Sequence, residues 1–136
     1  MSVHLYLNIC VPVAGPLGIE AALECLVALD RMYLRAFPHT TALYTLHREG
    51  VVRYLRDADA ATQDTPPAEL WLTIPDAIRA GGADCKVLAA WRCAELRERG
   101  DRARCTLTRR GTLWHVQVTR SDGTVEDPSR VLGMGG

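Results

Sequence analysis

The sequence predicts an α+β domain in which a helix from the second half packs on an antiparallel sheet, and three observations predict it. Ile19, Ala22, Leu23, Leu26, Leu29, Tyr33 and Phe37 recur at the spacing of one helix face. The run CKVLAAWRCAELRER, Cys85 to Arg99, is rich in strong helix formers. After it the period changes: ARCTLTR, TLWHVQVTR and TVEDPS are strand-like runs parted by Arg-Gly and Ser-Asp-Gly turns, the pattern of a meander.

Element by element, VHLYLNICV alternates in part and is bounded by Pro12, which predicts a strand, and GPLG breaks the chain after it. The first helix follows and Pro38 ends it. TALYTLHREGVVRYLRD reads as two short strands around a turn at Arg48-Glu49-Gly50. DADAATQDTPPA, residues 57 to 68, combines acids, Ala, Thr and a Pro-Pro pair and predicts a surface loop between two halves of one domain. A short helix from Ile74 to Ala80 is ended by Gly81 and Gly82. The helix from Cys85 has Gly100 at its expected C-cap and basic residues in its last turn, where they suit the dipole. The terminal RVLGMGG, read alone, is a flexible tail.

A chain of 136 residues that is 48% hydrophobic can bury one real core, so one domain over 1–136 is expected. Sixteen basic against 16 acidic residues argue against a dedicated nucleic-acid binder. The five cysteines are odd in number, scattered and without a C-x-x-C pair, which suggests neither a disulfide framework nor a zinc site and fits a reducing, cytoplasmic setting. Cys93 and Cys105 read as core. His4, His39 and His47 are isolated from other metal ligands, so neither a metal nor a cofactor is expected. LYLNICVPVAGPLGI lacks a basic leader, is broken by Pro12 and Pro16, and falls short of the roughly 20 residues that span a bilayer. It is expected in the core, with no membrane partner.

Cys85 stands at the junction of Gly-Gly-Ala-Asp and a helix, and two readings compete: an apolar plug, or a nucleophile. At a helix N-terminus its sulfur would meet unpaired N–H groups and the positive end of the dipole, both of which favour thiolate. Asp84 is the natural N-cap, and Gly81 and Gly82 permit a close backbone approach. A nucleophilic cysteine needs a base, and the base an orienting group. His115 shares one strand face with Leu113 and Gln117, while Trp114, Val116 and Val118 take the other. The hairpin through Ser121-Asp122-Gly123 brings Asp127 back beside His115. Trp114 reads as a packing residue, with substrate stacking as the second reading.

GGADC opening a helix, WHVQV on a strand and EDPS on the next resemble the three motifs of the transglutaminase-like cysteine enzyme superfamily, whose members share a papain-like core. The longer run LWLTIPDAIRAGGADCKVLAAWRCAELRERG with VEDPSRVLGM is similar to small transglutaminase-like proteins of phages and prophages, over about residues 70–134 and more weakly from about residue 29. The resemblance implies Cys85 as nucleophile, His115 as general base and acid, and Asp127 as orienting carboxylate. It implies a peptidase or amidase that works through a thioester on a protein or peptide substrate, in the cytoplasm of a bacterium or phage-infected host. The Cys85 N–H would be the first oxyanion donor and Trp71, or a polar group near it, the second. It further implies that DPSRVLGM packs near the site. Two alternatives stay open: an amine-accepting, cross-linking transglutaminase, and a catalytically silent phage assembly factor whose partners are phage structural proteins. Ala83 stands where the family has Gly, and Lys86 where an acid is common. Lys86 either helps to hold a thiolate or marks an altered or lost activity.

Overall fold

The computed structural model describes residues 15–56, 71–111 and 113–135. The predicted N-terminal strand and the predicted loop at 57–68 lie outside them. Helix α1 is Pro16–Ala36 and buries Leu23, Leu26, Val27 and Asp30. Phe37, expected on its buried face, instead follows the last turn, is 57% exposed, and rests against the Tyr33 ring.

The predicted strand pair at 41–57 is corrected. Leu43–Arg48 is a helix, α2, and only Arg53–Tyr54 is a strand, β1. Leu43 and Leu46, three apart, both reach the core from a helix, which they would not do from one strand. Gly50, at φ 76, turns the chain out of α2.

Helix α3, Ile74–Ala80, ends on Gly81 in the left-handed conformation, as expected. Gly82–Ala83 forms β2 and pairs in parallel with β1. A Cβ on Gly82 would fall on the Arg53 carbonyl oxygen, so the close approach admits glycine alone.

Cys85–Glu98 is α4, the central element: every residue from Lys86 to Leu96 is buried and Trp91 is wholly enclosed. A helix buried almost all round, with Lys86, Arg92 and Glu95 among its buried residues, is covered on several sides. Its most extensive packing is with α1 and the meander strand β4. The strands β3 (Arg104–Arg110), β4 (Leu113–Thr119) and β5 (Val125–Glu126) form the expected antiparallel meander, with Val116 and Val118 turned into the core. Beyond β5 the chain makes a short helix, α5, Pro128–Val131. Leu132 is 2% exposed and its carbonyl accepts from the Tyr54 N–H at 3.0 Å, so the tail reading of RVLGM is corrected: this segment closes the core. The fold is therefore α+β with a small antiparallel sheet, and among the described residues no helix is long and apolar enough to cross a membrane.

Candidate active site

Three local devices bring the candidate residues to one end of α4. Gly82 lays the chain against β1, Ala83 is buried beneath it, and Asp84 caps the helix, its Oδ1 accepting from the Val87 N–H at 3.5 Å. Cys85 is thus the first helical residue. Its sulfur lies within hydrogen-bonding reach of the backbone N–H of Val116 on β4, the residue next to His115, and of the Lys86 N–H.

On β4 the alternation holds. His115 is buried and its Nε2–H donates to Asp127 Oδ2 at 2.8 Å, since a carboxylate can only accept. Asp127 sits just past β5, where the same carboxylate also caps α5 through the Arg130 N–H at 3.4 Å. Gln117, one step along the strand face from His115, donates its amide to the same Oδ2 at 3.2 Å. Burial alone would raise the Asp127 pKa, but the His115 and Gln117 hydrogen bonds outweigh it and hold the carboxyl below its ordinary range.

The thiol departs from expectation. Burial pushes Cys85 up, and the Asp84 charge adds to this; the Val116 N–H, Lys86 and its N–H work the other way and do not prevail. Burial thus works against a resting thiolate at the start of the helix. Lys86 does not turn its charge to the sulfur alone: its ammonium pairs with Asp84 Oδ2 and stands 5.5 Å from the centre of the Trp71 ring. Among the described residues no hydrogen bond joins the His115 ring to the Cys85 sulfur. With Nε2 engaged by Asp127, Nδ1 is the ring nitrogen left to take a thiol proton.

Of the remaining candidates, Trp71 reaches the site through the Lys86 ammonium beside its ring. Trp114 packs across the sheet against Arg109, 5.6 Å from ring centre to guanidinium, on the face opposite His115, and does not join the cluster. Sequence reasoning missed two contributors. Gln117 was signalled by its alternation with His115. The other is a buried ionic strut: Arg92 of α4 donates Nε to Glu126 Oε1 at 2.9 Å and NH1 to Glu95 at 3.2 Å, while Tyr44 OH donates to Glu126 at 2.8 Å. Glu126 directly precedes Asp127, so the strut fixes the orienting carboxylate relative to the helix that carries Cys85. Among the described residues no group of three or more His, Cys, Asp or Glu is placed to hold a metal ion.

No family model, curated protein or solved structure matches this chain.

Proposed function

We propose that the chain is a cysteine-dependent acyl-transfer enzyme of transglutaminase-like, papain-like type, a peptidase or amidase with Cys85, His115 and Asp127 as its triad. The observation that carries the reading is the 2.8 Å His115–Asp127 bond on the strand whose next N–H meets the Cys85 sulfur at the start of α4. The chemistry follows from roles and order. His115 takes the Cys85 proton at Nδ1 as the sulfur attacks the substrate carbonyl, and Asp127 stabilises the imidazolium so formed. The Cys85 N–H, which meets no acceptor among the described residues, is a donor for the developing oxyanion. Collapse of the tetrahedral intermediate forms the thioester and expels the amine, which takes the proton from His115. His115 then draws a proton from water, which attacks the thioester and releases the acid; an amine in place of water would make the reaction a cross-link. Because burial disfavours the Cys85 thiolate, this reading places proton transfer with the attack and not in a preformed ion pair.

The raised thiol and the absence of a resting Cys85–His115 hydrogen bond favour one second reading, a silent assembly factor that keeps the scaffold. An activated ester separates the two. With p-nitrophenyl acetate the enzyme reading expects a p-nitrophenol burst and an acetyl group on Cys85 by mass spectrometry. His115→Ala should slow acetylation by roughly 10²- to 10⁴-fold, the usual worth of a positioned base. Acetylation no faster than that of Cys25, an exposed thiol remote from the triad, would leave the silent scaffold.

A further inference from the structure

Cys93 and Cys105, expected as inert core, are free thiols that meet inside the fold. Cys93 on α4 is wholly buried, and its Sγ–H lies 3.3 Å from the carbonyl oxygen of Ala103. Cys105 lies two residues further on β3, which sets its side chain on the same core-facing side of the chain as Ala103. The two thiols are close enough to influence each other. Arg97 is held over the pair, its Nε donating to the same Ala103 oxygen at 2.7 Å. Outside, a depression of 580 Å³ lined by Arg31, Arg97, Ala103 and Arg104 among others opens beside the start of the strand that carries Cys105.

The pair is unequal in access: Cys93 is wholly buried, whereas Cys105 is only partly so. Cys105 is therefore the sulfur that an incoming solute meets, and Cys93 is placed to resolve.

We propose that Cys93 and Cys105 form a modification site, a dithiol that a hydroperoxide converts to a reversible disulfide tying α4 to β3. The Cys105 sulfur, as thiolate, attacks one peroxide oxygen, the O–O bond breaks, and the departing oxide takes a proton, leaving sulfenic acid on Cys105. The Cys93 sulfur attacks the Cys105 sulfur, the S–O bond breaks, and hydroxide leaves with the Cys93 proton as water. In sum two thiols lose two electrons and two protons, and the peroxide is reduced to water and, for an organic peroxide, an alcohol. A dithiol reductant reverses the bond by exchange. None of these residues belongs to the candidate triad, so the site stands whether or not Cys85 is catalytic.

The test uses the reduced full-length chain treated with hydrogen peroxide, alkylated with iodoacetamide in denaturant, and digested with trypsin without reductant. The expected product is Cys93–Arg97 joined to Cys105–Arg109, two hydrogens lighter than the separate peptides and lost on treatment with dithiothreitol. Free thiols per chain fall from five to three. The same linkage is expected in Cys85→Ala. Recovery of Cys93 and Cys105 both alkylated while other cysteines are oxidised, linkage scattered over Cys10, Cys25 or Cys85, or loss of the linkage in Cys85→Ala would each overturn the proposal.

Discussion

Asp127 serves two structures with one carboxylate: Oδ2 holds His115 and Gln117, and Oδ1 caps the turn that follows. Gln117 therefore matters to the proposed chemistry without meeting substrate. Gln117→Leu removes a hydrogen bond to a charged group, worth about 1.5–3 kcal/mol to the fold, and should slow Cys85 acetylation by about 10- to 100-fold at a temperature where the variant is still fully folded. Acetylation at the wild-type rate in the folded variant would reduce Gln117 to a packing residue. The thiol itself makes a pH prediction. Since burial raises Cys85, iodoacetamide labelling of the native protein should keep rising beyond pH 9.0, the ordinary thiol value, instead of levelling below neutrality. A plateau below pH 7, abolished in His115→Ala, would indicate an ion pair in solution.

Two of the helices draw their N-terminal caps from other elements. Ala42 and Thr73 provide no side-chain cap to α2 and α3. Instead Glu95 of α4 accepts from the Leu43 N–H at 2.8 Å, and Asp30 of α1 accepts from the Ile74 N–H at 3.0 Å. Asp30→Ala should cost about 1–3 kcal/mol by urea unfolding, because it strands a buried N–H. The same contacts explain what the sequence could and could not convey. The helices with long periodic runs, α1 and α4, and the alternating strands β3 and β4 were legible, and so was the order of Cys85, His115 and Asp127. The short α2 was not: its apolar residues fit either period, and its deciding cap lies 52 residues away on another helix. The resting state of Cys85 was equally hidden, since its burial is a property of packing and not of neighbours in sequence. Gln117 stood in the open, as the next residue on the face of His115.

At the scale of the molecule the strut of Arg92, Glu95, Glu126 and Tyr44 joins α4, α2 and β5. Arg92 and Glu126 side chains are only 11% and 16% exposed, so Arg92→Met would take the shared guanidinium from Glu95 and Glu126, leaving them, among the described residues, only the Leu43 N–H, Tyr44 and Arg120, and should cost about 3 kcal/mol, a large share of the roughly 5–15 kcal/mol that holds a domain together. Stability should bend with pH on both sides. Burial would raise Glu126, but Arg92 and Tyr44 hold it below its ordinary 4.5, as His115 and Gln117 hold Asp127 below 3.8. Their contributions are present above those values and are lost as pH falls through the depressed folded ones. Asp30, raised by burial, runs the other way and offsets part of this loss, since the folded state takes up its proton first. On the alkaline side Cys85 and Tyr44, both raised chiefly by burial, favour the folded state below their ordinary 9.0 and 10.0, and that contribution fades as pH climbs from there to the folded values. Urea midpoints measured from pH 3 to pH 11 check both limbs, and Glu126→Gln should flatten the acid one.

Leu132, which completes the core and accepts from Tyr54, also sets a timetable for biosynthesis. The helix that bears Cys85 is translated well before His115 and Asp127, and the place that Leu132 fills stays vacant until that residue has left the ribosome. A nascent chain halted anywhere short of it carries the thiol without its assembled surroundings. Under the proposed function, a polypeptide that is still being made would in this way be kept from acting on itself or on its neighbours.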